Sequence, residues 1–320
     1  MFVLRGIAVS FSIFVILYGA LSVTVCGVWR RVWLSGQQYS ARGCADLLFA
    51  VRMVPFVVAG GVTLAFAVPS FLLLEPRAVD EPMGGVPVGL GLCGIVLLLA
   101  GLWNAAAALV QASRAVARWS SGAGVIGLRP IDSRASGPGL RISASAPPLT
   151  AAGILRPSVW LSRAAEFVLT ERELESALRH EVVHVRRRDN LRKLILRLVD
   201  FPGMAELESA WREATEMAAD DAAVSNASEA LDLAAAVIKL SRLAPLEPAA
   251  ELTTALVHSP AECVNARVER LIAWTERRQG SKEYSWGYAL CAAAAMVATL
   301  AVTYSGLLVR VHAATEWLVR

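Results

Sequence analysis

Charge is scarce in this sequence. Only 18% of its 320 residues are Asp, Glu, Lys or Arg, where a soluble domain carries about 25%. Hydrophobic residues make up 56%, which argues against an ordinary soluble domain. Cysteine is sparse and unpatterned: Cys26, Cys44, Cys93, Cys263 and Cys291 show no paired spacing. That excludes a disulfide framework and a cysteine-built metal site, and the thiols are expected to be reduced and packed. Histidine occurs only four times. No recognition motif accompanies the net charge of +4, so direct nucleic-acid binding is not expected. The chain also lacks internal repeats and long low-complexity tracts.

Apolar residues are concentrated in four uncharged runs, at about 6–29, 53–74, 87–110 and 286–309. A helix of about 22–24 residues spans roughly 33–36 Å, enough to cross a hydrocarbon core. Backbone groups there must be satisfied within the segment, so the runs are expected to be four transmembrane helices. Arg30 and Arg31 follow the first run at once, as suits a retained span rather than a cleaved signal. Arg30, Arg31, Arg42, Arg52, Arg114, Arg118, Arg277, Arg278 and Lys282 flank one side of the spans. Arg5, Arg77, Arg310 and Arg320 flank the other. This asymmetry predicts that both termini are outside and that the long loop after the third span is cytoplasmic. The expected organisation is a membrane region over 1–112, a cytoplasmic domain over 113–284, and the fourth span with a short outside tail over 285–320. Neither the outside loop, about 75–86, nor the tail is long enough to bury a core.

Within the loop, Leu140–Pro147 reads as a strand, and Ala151–Ser162 as two short strands turning at Arg156 and Pro157. Thr170 and Glu173 have the spacing of a capping box. The apolar positions that follow predict one helix over about 171–199, stopped by Phe201, Pro202 and Gly203. Further helices are expected over about 206–225, 228–243 and 261–278.

The first of these helices carries His180, Glu181 and His184 in the sequence HEVVH. Histidines four residues apart project from one face and reach one tetrahedral ion, with the glutamate beside them able to take a proton from water at the metal. A third protein ligand is then needed. The next helix offers Glu213, Glu216, Asp220 and Asp221 among alanines that permit close helix approach. Glu216 and Asp220 share a face. Glu216 is a candidate ligand, with Glu213 as a rival, and Asp220 is placed to accept the other N–H of a ligand imidazole. Arg186, Arg187 and Arg188 read as a solvated or lipid-facing face.

The segments LESALRHEVVHVRRRDN and EMAADDAAV resemble the BlaR/MecR-type antirepressor metallopeptidases and their HtpX-like relatives. GILRPSVWLS is similar to that family's strand pair before the zinc helix, and NARVERLI to its arginine-rich helix before the last span. The resemblance implies a mainly α protein: four transmembrane helices, with a cytoplasmic α+β gluzincin-like zinc metallopeptidase domain inserted between the third and fourth. It implies Zn2+ held by His180, His184 and Glu216, with Glu181 as catalytic base and Asp189 and Asp220 in support. It implies a multi-pass protein of a bacterial-type plasma membrane. Receptors of this group carry a penicillin-binding sensor after the last span. The sequence stops at Arg320, so β-lactam sensing is not expected of it, and any sensor is expected to be a separate protein. The expected partners are the lipid bilayer and a protein substrate, with a transcriptional repressor as the candidate. An edge strand within 140–147 or 151–161 is expected to bind that substrate. The competing expectations are a non-catalytic membrane signalling scaffold or receptor that keeps the metal fold, which has no need of Glu181, and a membrane-protein quality-control protease.

Overall fold

A computed structural model describes residues 2–36, 39–75, 84–121, 129–130, 139–243, 252–255, 261–274 and 303–314. Three helical stretches are long and apolar enough to cross a membrane: Phe2–Leu34, Ala41–Leu74 and Gly85–Ser121. They contain the first three apolar runs. Most of the fourth run, and His258, lie outside the described residues, but residues 303–314 are helical. Helix α1 (Phe2–Gly36) packs against both α2 (Ala41–Val62) and α4 (Gly85–Ser121). After α2 the chain continues through a π-helical turn (Thr63–Ala67) into α3 (Val68–Leu74). Pro69, in the first turn of α3, has no N–H to offer the carbonyl four residues back. That carbonyl, on Ala65, accepts a 2.8 Å hydrogen bond from the Tyr304 hydroxyl. The end of the fourth apolar run is thereby tied to the second. Cys93 is exposed on α4 rather than packed as expected, while Cys44 is buried.

A mixed sheet follows. Its strands are β1 (Arg129–Pro130), β2 (Gly139–Ser143), β3 (Leu149–Ala152), β4 (Ser158–Ser162) and β5 (Thr253–Ala255), in the order β1-β2-β4-β3-β5. Only β2 and β4 run parallel. The segments expected to present an edge instead form β2, β3 and β4, each with a neighbour on both sides. The edges fall to the short strands β1 and β5. α4 runs far enough beyond its apolar segment to meet the sheet. Trp119 and Trp160 meet with ring centroids 5.8 Å apart, and Ser143 donates its hydroxyl to the Trp119 carbonyl at 2.7 Å. A second core joins Leu149, Val159 and Leu161 to the helices α5 (Arg163–Val168), α6 (Glu171–Arg187), α9 (Ala227–Leu243) and α10 (Ala261–Ile272).

The helix expected over 171–199 is broken in two. The capping box forms as expected, with Thr170 N–H donating to Glu173 at 2.8 Å. Arg188, however, takes the left-handed conformation at φ 55° and ends α6. α7 (Asp189–Leu198) leaves in a new direction and packs along α4. α8 (Ala205–Ala223) then returns, wedged against α2 by a core of Ala45, Leu48, Leu207 and Trp211. The α7–α8 corner lies among the three apolar helices. Tyr18 on α1 and Arg52 on α2 both donate to the Val199 carbonyl, at 2.7 and 2.8 Å, and so satisfy an oxygen at the end of α7. Arg52, one of the basic residues that flank the spans, is 1% exposed and lies 3.6 Å from Glu208.

α4 and α7 touch backbone to backbone. A Cβ added at Gly101 would collide with the Leu198 carbonyl, whereas one at Gly89 would meet nothing within 4 Å. Gly101→Ala is therefore expected to destabilise the protein by about 1–3 kcal/mol through overpacking. Gly89→Ala is expected to leave it unchanged. Paired thermal unfolding of both variants in one detergent checks the difference.

Candidate metal centre

The site is assembled from four helices, with α7 supplying Asp189 as its first residue. α6 presents His180 and His184 one turn apart, and α8 presents Glu216 and Asp220 one turn apart. α10 contributes Arg267. His180, Glu181, His184, Asp189, Asp220 and Arg267 are all buried. Glu216 is the most open of the group, with 16% of its side chain exposed.

The two imidazoles point Nε2 toward Nε2, 3.0 Å apart. Glu216 straddles them, with Oε2 3.5 Å from His180 Nε2 and Oε1 3.6 Å from His184 Nε2. Bonds of about 2.0–2.1 Å at a tetrahedral ion would separate its donors by roughly 3.3–3.4 Å. The three donors of His180, His184 and Glu216 therefore fit one small divalent cation, and the group can hold a metal ion. The rival Glu213 is not part of this cluster.

The outer ring atoms are also engaged. Asp189 Oδ2 lies 2.7 Å from His184 Nδ1 in a hydrogen bond. Asp220 Oδ1 lies 3.0 Å from His180 Nδ1, close but off the line of a hydrogen bond. Each carboxylate favours the proton on Nδ1 and leaves Nε2 a lone pair toward the donor cluster. Arg187 Nε stands 3.7 Å from Asp189, and its guanidinium also reaches Asp46 on α2, at 3.3 Å. The middle arginine of the basic run is thus partly buried and paired, not wholly a solvated face.

Arg267 went unassigned from the sequence. Its guanidinium grips Asp220 through two contacts, at 2.9 and 2.7 Å, and reaches Glu216 Oε2 at 3.0 Å. A signal was present. Arg267 lies on the same helical face as Val264, Val268 and Leu271, which pack into the core. An arginine on an apolar stripe requires a buried carboxylate partner.

The electrostatics follow from this crowding. Burial opposes the charged form of Glu216, but Arg267 and both histidines together outweigh it and hold the carboxyl at about 2. Asp220 is likewise lowered, chiefly by Arg267 and His180 against burial. Burial disfavours protonated His180, yet Asp220 and Glu216 raise it to about 9 in the metal-free protein. Burial pushes Glu181 up to about 7, although both histidines and a hydrogen bond from the Ala151 backbone pull it down. A buried carboxyl that titrates near neutrality can both accept and return a proton.

Neither a scan of protein-family models nor a search of curated proteins finds a match to this chain.

Two outcomes are expected. At about pH 7.5 the metal-free protein holds a proton on His180, which a metal must displace. Loading is expected to release about one proton, and apparent affinity is expected to fall as pH drops below about 9. Calorimetry in buffers of different ionisation enthalpy measures the release. The sign for the metal-free fold is separate. The raised His180 contributes stability that is full below the ordinary 6.5 and lost as pH rises through about 9. Arg267→Ala strips Asp220 and Glu216 of their shared cation, and is expected to weaken metal affinity about 10–100-fold. Competition with a chelator of known affinity checks this.

Proposed function

We propose that the chain is an integral-membrane zinc endopeptidase. The observation that carries this reading is the buried Glu181 immediately beside the two imidazoles and Glu216 that face one point. A structural metal site has no need of a fourth, titratable carboxyl there. The two-histidine, one-carboxylate donor set suits zinc and leaves a fourth position open. In the proposed topology the fourth apolar run is also a span, both termini are outside, and the gluzincin-like domain faces the cytoplasm between spans three and four. This is the arrangement of the BlaR/MecR-type metallopeptidases that the motifs resemble. The proposed substrate is a cytosolic or membrane-associated protein, with a transcriptional repressor as the candidate and a separate protein as the sensor.

When bound, zinc supplies Lewis acidity toward the peptide carbonyl and lowers the pKa of water to about 7. The residues do the rest. Glu181 takes the proton of the attacking water and passes it to the leaving amine as the C–N bond breaks. Asp189 and Asp220 hold the ring tautomers. Arg267 keeps Glu216 ionised and fixes its orientation.

Glu181→Gln keeps the size of the side chain and removes the base. It is expected to lower the turnover of an unfolded protein substrate such as casein about 10²–10⁴-fold. Metal content should stay equal to wild type, since Glu181 donates to no ion. Equal turnover by the two proteins, with metal bound in both, would leave the chain a non-catalytic scaffold.

A further inference from the structure

The β3–β4 turn, residues 153–157, holds the most exposed large hydrophobic side chain among the described residues. Leu155 is 95% exposed. Its neighbours show that the turn is built rather than slack. Gly153 has φ +99°, and a Cβ there would meet the Arg156 carbonyl at 2.9 Å. Pro157 restricts Arg156 to extended backbone. Asn190 on α7 donates its side-chain amide to the Ala151 and Gly153 carbonyls, at 3.2 and 3.3 Å. Ile154 turns inward and packs with Ala108, Ala112 and Leu194. A braced turn that partly buries one apolar residue and holds the next out in the open calls for an explanation.

α4 provides a ruler. The sheet meets it at two levels: Trp160 and Ala152 share a cluster with Trp119 and Ala115, and Ile154 packs against Ala108 and Ala112. The second level is nearer the apolar run of α4, and Leu155 follows Ile154 in the chain. On α4 itself, Trp103, Leu109 and Val110 are exposed apolar side chains, while Arg114 and Arg118 are exposed charges. The change from apolar to charged surface falls between Val110 and Arg114, level with Ile154. Leu155, next in the chain to Ile154 and almost fully exposed, therefore belongs near that boundary. Arg156 next to it is exposed and long enough to reach back to phosphate head groups.

We propose that the β3–β4 turn is a membrane anchor, with Leu155 inserted among the lipid acyl chains beside α4. The anchor sets the height of β3 above the bilayer. β3 carries the Ala151 backbone that hydrogen-bonds Glu181, so it sets the height of the metal centre as well. The proposal rests on α4 crossing a bilayer and not on the peptidase reading.

The test places the photoreactive residue benzoylphenylalanine at position 155 of the full chain, in vesicles of phosphatidylcholine and phosphatidylglycerol. The same residue at Val96, exposed in the middle of the apolar run of α4, and at Leu231, exposed on α9, supplies the comparisons. After irradiation, intact-mass measurement reads lipid adducts. Adducts at 155 and 96 and none at 231 are expected. Adducts at 96 alone would place the turn in water and overturn the proposal. A protein adduct at 155 in place of lipid would overturn it in favour of a protein partner. No adduct at either 155 or 96 would overturn it together with the span assignment of α4. The readout needs no proteolysis, so it fails or succeeds independently of the proposed activity.

Discussion

Four carboxylates are packed around two imidazoles in this protein: Glu181, Asp189, Glu216 and Asp220. In a poorly hydrated interior that much negative charge is stable only beside matching positive charge. Arg267 supplies part of it through Asp220 and Glu216, and Arg187 stands near Asp189. The remainder is visible in the protons. Without a metal, His180 and Glu181 are both pushed toward their protonated forms. A divalent cation among the three inward donors answers the same deficit. The constraint thus links the metal site, the arginine of α10 and the titration of the proposed base.

The constraint also accounts for the placing of α8. Its inner face carries Glu216 and Asp220 toward α6. Its other side packs on α2 through Trp211 and Leu207. The corner before it is held by Tyr18 and Arg52 at the Val199 carbonyl. The metal centre is therefore built against the apolar helices and not on a domain tethered to them by a flexible linker. Asp46 on α2 reaches Arg187 and Arg192, on either side of Asp189, at 3.3 and 2.7 Å. α8 packs on α2, and α6 reaches the same helix through the Arg187–Asp46 ion pair.

Much of this was legible in the residues. Apolar runs of span length, the capping box at Thr170 and the histidine pair one turn apart are local features, fixed by helix rise and pitch. The pairing of Glu216 with the histidines was readable as a possibility, because alanines around it permit close approach. Glu213 could be set aside only once α8 was rotated in space. Three of the five strands were placed approximately along the chain, β1 and β5 were not expected, and the sheet order was wrong, because it depends on pairings such as β3 with β5, which are a hundred residues apart.

Two features lay outside what local pattern can decide. An unbroken helix would carry Asp189 about 140° around from His184, pointing away from it, because five residues at 100° each overshoot one turn. The left-handed Arg188 turns it back to 2.7 Å, and nothing in the apolar spacing marks that single dihedral. Arg267 reaches the site across 47 residues of chain from Asp220, and its role exists only once α10 has docked. By itself the sequence determined the apolar helices, the pair of imidazoles and the glutamate between them, since helix periodicity alone sets those. The tertiary structure decided which carboxylates and which arginine surround them, because charge balance in a buried site is settled between elements and not along one.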